Sequence, residues 1–217
     1  MNFSILYPGR MSNQLVLLYH IYNTYEVDKI YAPNFEYEEY FNIEKLCDKS
    51  FYENNIENFT EVKWGEETMT KILDYYDPKF NDLKLKKEHN DTVQNILKNF
   101  NEYENLISVH VRHTDFKNWH NGLYYFEYEE YMKKCYEKID EWGLTNFKIL
   151  IFSDSKQNVT DSNCIFISSL TNFIPPIDLF IMSNCNYFIS TWSTFTIISK
   201  GMSFGLNKYK NDCILGK

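Results

Sequence analysis

The strongest constraint on the fold lies in the second half of the chain, where short β-branched apolar runs alternate with helical segments. Leu106-Ile-Ser-Val-His-Val-Arg112 reads as a buried strand, and Phe147–Phe152, Cys164–Ile167 and Tyr187–Ser190 read as three more. Between them the spacing predicts helices over Glu127–Trp142 (closed by Gly143), from Pro175-Pro176 through Asn184, and over Ser193–Ser203. Strands alternating with helices imply an α/β fold whose sheet is parallel and whose crossovers are right-handed. Ligands of such sheets bind outside the carboxyl ends of the strands. Three strand ends here carry polar clusters: Arg112 to Asp115, Ser153 to Ser155, and Ser190 to Thr194.

The first half is less regular. Phe3–Tyr7 reads as a short strand closed by Pro8-Gly9, followed by a helix capped by Ser12 or Asn13 and running through Tyr22. Lys29–Ala32 is a second weak strand. From Glu36 to Glu104 the text is acidic, aromatic and mostly helical, with Glu66–Tyr76 and Thr92–Tyr103 the better helices and a strand at Thr60–Trp64 between them.

Composition narrows the function. At 217 residues with 44% apolar side chains, including 17 Phe and 18 Tyr, the chain can fill a sizeable core, which excludes wholesale disorder. A net charge of −8, with both signs interleaved, argues against a nucleic-acid partner. No apolar run approaches the roughly 18 residues of a membrane span, and the first residues lack a secretory pattern. Five widely spaced cysteines without a C-x-x-C pair read as reduced thiols. A cytoplasmic protein is the expectation.

Arginine usage is the sharpest compositional fact. Of 22 basic residues, only Arg10 and Arg112 are arginine. Lysine replaces arginine wherever a point charge suffices, but it cannot supply the planar, bidentate fork that grips a carboxylate or phosphate. Arg112 sits in His110-Val-Arg-His-Thr-Asp115, where alternation puts His110 and Arg112 on one side of a strand. Asp115, just past the strand end, is placed to orient the guanidinium. The segment then fits either a structural Arg–Asp pair or an anion site. Histidines at 110, 113 and 120 match no zinc-ligand spacing.

Ser190-Thr-Trp-Ser-Thr-Phe-Thr196 runs from a strand end into a helix start, where amides, dipole and hydroxyls form either a phosphate cradle or an ordinary Ser/Thr cap. Gly9-Arg-Met-Ser-Asn-Gln14 is a strand-to-helix turn without the dinucleotide or Walker glycines. There is no Asp-x-Asp to clamp a metal-bound sugar nucleotide, and no G-x-S-x-G elbow.

These residues resemble the superfamily of α1,2-, α1,6- and peptide-O-fucosyltransferases, which use GDP-fucose on a GT-B scaffold. Gly9-Arg-Met-Ser-Asn-Gln-Leu15 is similar to its Gly-Gly-x-Gly-Asn-Gln turn, and His110–Asp115 to its His-x-Arg-Arg-x-Asp motif. Ile151–Asp154, Asp178–Ser183 and Ser190–Phe195 are similar to its later motifs. His113 stands at the second arginine of the family motif, and Ser155 at the second acid after Asp154.

The resemblance implies an N-terminal acceptor-side domain at 1–105 and a C-terminal nucleotide-sugar domain at 106–217. It implies that Arg112 binds the β-phosphate of GDP, that His110 and Asp178 approach the nucleoside, and that Ser193 and Thr194 hold phosphate oxygens. Asp154 would lie near the nucleotide, and Asn13 would face the donor sugar or acceptor. Arg112 and Asp115 are the expected catalytic pair. The expected activity is metal-independent, inverting transfer of fucose or a related sugar from a GDP-sugar donor to a glycan hydroxyl, without a cofactor. Asp115, His120 and Asp154 all remain open as general base. A non-catalytic nucleotide-sugar or glycan-binding module, and one half of a larger transferase assembly, are the alternatives.

Overall fold

A computed structural model describes residues 1–6, 10–35, 37–43, 45–62 and 83–216. The predicted turn at Pro8-Gly9, the helix at Glu66–Tyr76 and the end of the strand at Trp64 lie outside these residues. The chain divides into two compact units, Met1–Lys86 and Lys87–Lys217.

In the first unit, strands β1 (Asn2–Ser4), β2 (Lys29–Tyr31) and β3 (Phe59–Glu61) form a parallel sheet in the order β2-β1-β3. Helix α1 (Met11–Thr24) connects β1 to β2, and a short helix α2 (Lys49–Asn54) precedes β3. Leu15, Leu17, Leu18 and Ile21 of α1 are buried, as their helical spacing requires. The predicted cap is corrected. Arg10 holds the N-cap position without a side-chain cap bond, so Ser12 and Asn13 fall inside the first turn, where Asn13 N–H reaches Arg10 O at 3.0 Å. Asp48 caps α2 by accepting from Phe51 N–H.

The second unit opens with α3 (Lys87–Leu97) and a 3-10 turn at Lys98–Phe100. This is the predicted helix over Thr92–Tyr103, begun one turn earlier. The helix packs against the helix Pro175–Met182 of the C-terminal layer, and the second compact unit begins at Lys87.

Five parallel strands follow: β4 (Asn105–Val111), β5 (Phe147–Ser153), β6 (Cys164–Phe166), β7 (Tyr187–Thr191) and β8 (Asn211–Leu215), in the order β6-β5-β4-β7-β8. Helices α4 (Tyr128–Trp142), α5 (Ile167–Leu170), α6 (Pro175–Met182) and α7 (Thr194–Gly205) connect them. The parallel sheet of the second unit is what the sequence predicts, and the smaller first unit is α/β as expected, its three strands also parallel.

Strand β4 is central and flanked by β5 and β7, with His110 opposite Phe152 on one side and Ser190 on the other. The chain leaves β4 toward β5 and β6, then crosses back to place β7 on β4's other edge. The crevice at the carboxyl ends of β4 and β7 is therefore the topological switch point, where open α/β sheets bind their ligands.

Helix α4 shows how sequence builds this layer. Tyr131, Cys135 and Ile139 recur every four residues and are buried against Ile107, Val109, Val111, Ile149, Ile151 and Ile189. Each fully buried Ile or Val in this layer contributes about 1.5–3 kcal/mol. Glu127 and Glu130 close a reciprocal capping box at its start. Gly143 ends it at φ 65°, a left-handed turn that glycine adopts without steric cost.

Strand β8 was not predicted. Its anchor is an ion pair between Lys200 of α7, almost fully buried, and Asp212. All five cysteines are free thiols, and Cys135, Cys164 and Cys185 are buried. Among the described residues, no helix is long and apolar enough to cross a membrane.

Candidate functional site

Arg112 follows the last residue of β4, at the switch point. Its Nε donates to Asp115 Oδ1 at 2.9 Å and its Nη2 to Asp115 Oδ2 at 3.1 Å, a bidentate pair three residues apart. Asp154, one residue beyond the end of β5, brings Oδ2 to 3.2 Å from the same Nε. The guanidinium also lies over the Phe116 ring, 5.4 Å from its centre. Asp115 thus occupies the Nε–Nη2 edge of the fork. Nη1 and the second Nη2 proton are left for an anion, and Nη1 makes no hydrogen bond among the described residues.

Asp154 does more than hold Arg112. Its Oδ1 accepts from the backbone N–H of His113 at 3.0 Å and of Thr114 at 3.4 Å, and its Oδ2 accepts from Thr114 Oγ1 at 2.5 Å. This single carboxylate ties the exit of β4 to the exit of β5.

His113 turns away from Arg112. Its Nε2 donates to Phe126 O at 3.0 Å, and its Nδ1 lies 3.2 Å from Ser155 Oγ and 3.4 Å from Gln157 Nε2. Gln157 extends the cluster to Ser153 Oγ at 3.0 Å. The Gln157 contribution was invisible in the sequence, because its partners lie up to 44 residues away.

His110 is buried, 3.0 Å through Nδ1 from Thr196 Oγ1 and stacked on Phe195, with ring centres 5.0 Å apart. Burial pushes its pKa down to about 4, against the opposing field of Asp154, so the imidazole is neutral at pH 7. Its Nε2 makes no hydrogen bond among the described residues.

Thr196 and Phe195 lie in the first turn of α7, directly after β7. Ser193 is the N-cap residue, extended at φ −150° and ψ 134°, yet its hydroxyl makes no cap bond. The ordinary reading of a Ser/Thr cap therefore does not account for this serine. Thr194 begins the helix beside it. Below, Tyr131 OH of α4 donates to Thr191 Oγ1 at 3.2 Å, fixing the end of β7.

Asp178 sits elsewhere in the network. In the first turn of α6 it is buried, accepting from Ser168 Oγ and Thr171 Oγ1, each at 2.5 Å. Ser168 in turn accepts from Ser153 N–H at 3.0 Å, at the end of β5. Burial raises the Asp178 carboxyl to about 6, with the two hydroxyls pulling the other way.

The structure thus brings His110, Arg112, Asp115, Asp154, Ser193 and Thr194 to the carboxyl ends of β4, β5 and β7. Asp178 lies behind them, two hydrogen bonds from the Ser153 amide by way of Ser168, and Asn13 is in the first unit. Among the described residues, no group of three His, Cys, Asp or Glu side chains is placed to hold a metal ion.

Each of the two units carries its own parallel α/β sheet, and in the second the polar clusters gather at the strand exits. No family model and no curated protein matches the sequence. Solved structures do. The chain is similar to the fucosyltransferase NodZ from Bradyrhizobium, with 12% identity and a TM-score of 0.55 over 91% of each chain. It is similar to POFUT1 in complex with GDP, with 12% identity and a TM-score of 0.57 over 100% of this chain and 98% of that one. POFUT1 in complex with GDP-fucose gives a TM-score of 0.53, with 12% identity over 100% and 74%. At such identity the likeness is one of fold.

Proposed function

We propose that the chain is a glycosyltransferase that binds a GDP-sugar at the β4–β7 switch point and transfers fucose, or a related sugar, to a glycan hydroxyl. The observation that carries this reading is the Arg112 fork, held on one edge by Asp115 and open on the other. NodZ and POFUT1 share the fold; NodZ was soaked with GDP-fucose, and POFUT1 was solved in complex with GDP and with GDP-fucose.

The chemistry follows from the geometry. A diphosphate leaving group gains negative charge as the sugar–oxygen bond breaks, and a preorganised guanidinium meets that charge without reorganising. The start of α7, where the Ser193 side chain makes no cap bond, adds the positive end of a helix dipole on the neighbouring strand exit. Asp115 aligns the fork, and Asp154 braces both it and the loop that carries it. With arginine and helix amides stabilising the leaving group, the reaction needs no metal. An acceptor hydroxyl attacking opposite the diphosphate inverts the anomeric centre.

A second reading, a binder without turnover, has one observation in its favour. Two carboxylates already flank Arg112, and Asp115 is engaged with it rather than positioned alone as a base. GDP-fucose turnover with and without glycan acceptors separates the two. Release of GDP that depends on both Arg112 and acceptor supports the transferase. Thermal protection by GDP without any turnover establishes the binder.

A further inference from the structure

The loop between Arg112 and α4 carries an aromatic cluster that the donor chemistry does not use. Phe116 stacks on Trp119 with ring centres 4.8 Å apart, and Tyr124 lies 5.2 Å from the same indole. His120 meets Trp119 edge-on at 4.4 Å. Phe116 is buried, yet Trp119 is 36% exposed, with Leu123 exposed beside it. The indole N–H makes no hydrogen bond among the described residues.

The backbone holds this surface in place. His120, Asn121 and Gly122 are all left-handed, at φ 47°, 56° and 75°. For two non-glycine residues this conformation costs on the order of 1–3 kcal/mol each. At Gly122 a Cβ would also come within 3.2 Å of Lys117 O. Trp119 N–H donates to Asp115 O at 3.0 Å, so the residue whose side chain grips Arg112 also positions the indole.

The position relative to Arg112 is bounded by two contacts. The guanidinium carbon lies 5.4 Å from the Phe116 centre, which lies 4.8 Å from that of Trp119, so the indole is at most about 10 Å from the guanidinium. A rigid aromatic face with a neighbouring unpaired N–H donor suits the apolar face of a pyranose ring and one of its hydroxyls. The donor sugar is already tethered to the diphosphate. The acceptor is not, and must be held by the protein surface next to it.

We propose that Trp119, backed by Phe116 and flanked by Tyr124, is a stacking platform for a neutral pyranose ring of the acceptor glycan. This rests on the reading of Arg112 as the donor anchor. The test probes the full chain, saturated with GDP, on a printed array of neutral oligosaccharides, then titrates the best-retained glycan by calorimetry. Trp119→Ala should weaken that glycan by about tenfold or more, and Trp119→Phe, which keeps the stack on Phe116, by about threefold or less. Affinity for GDP should be unchanged in both. No retained glycan, equal affinity in wild type and Trp119→Ala, or equal loss of GDP and glycan affinity with an intact Trp119→Phe would each overturn the platform. If GDP fails to bind the wild type while the glycan still separates the variants, the donor reading falls and the platform stands.

Discussion

Asp115 meets Arg112 through both carboxylate oxygens, at 2.9 and 3.1 Å, on the Nε–Nη2 edge alone. An ion pair serving only stability has no need to keep the outer fork clear, whereas a diphosphate anchor does. Arg112→Lys should therefore lower turnover by about 10²–10³-fold, because an ammonium cannot make two parallel bonds to the leaving group. Steady-state kinetics and melting temperature on one preparation decide it. Near-native turnover in a stable Arg112→Lys protein removes Arg112 from the site.

Asp154 accepts from two backbone amides, from Thr114 Oγ1 and from Arg112. Asp154→Ala leaves those donors without their acceptor and should cost about 1–3 kcal/mol in urea unfolding. Asp154→Asn keeps an oxygen for the amides and should recover part of that stability, while GDP affinity stays reduced. Equal stability of Asp154→Ala and wild type would contradict the bracing role.

His110 and Asp178 make opposite contributions to acid stability. His110, pushed down to about 4, binds its proton less readily when folded, so its contribution is present above 6.5 and lost as pH falls toward 4. Asp178, raised to about 6, binds its proton more readily when folded, so stability falls as pH rises from about 4 through 6. Between pH 4 and 6 the two slopes oppose. His110→Gln should flatten the acid loss relative to wild type, and Asp178→Asn should gain stability relative to wild type as pH rises through 6. Urea titrations at stepped pH give both slopes, and parallel curves for all three proteins would refute the assignment.

Calorimetry with chelator present tests the metal question. GDP should bind with unchanged affinity in excess EDTA, because arginine and helix amides are the proposed diphosphate ligands. Loss of binding, restored by Mn²⁺, would require a metal clamp.

How much of this the sequence discloses depends on range. The Arg112–Asp115 pair spans three residues and is legible from spacing alone. So is α4, whose apolar positions, acidic start and terminal glycine agree with one another. Strand β8 is not legible, because the apolar run Cys213-Ile-Leu215 is only three residues long, and its place in the sheet comes from β7 and Lys200. The Asp178–Ser168–Thr171 and His113–Ser155–Gln157 clusters join segments that lie apart along the chain, so no local pattern announces them. Asp178 is expected near the nucleoside only through the family resemblance, which no local pattern supports or opposes. In the fold its oxygens are met by two hydroxyls. At the start of α7 the sequence leaves a cradle and an ordinary cap both open, and it takes the fold to show that Ser193 leaves the cap bond unmade.

Lys200 and Asp212 give the final strand a keyed position. A sheet residue changes face with every single-residue slip, so β8 shifted by one would turn Asp212 away and leave the Lys200 ammonium in an apolar layer without that carboxylate. Misregistered closure is thereby made costly on this edge strand, where among the described residues only β7 supplies a ladder and sliding would otherwise be easiest. The pair works as a proofreading latch, admitting one alignment of an edge that its own side-chain pattern barely specifies.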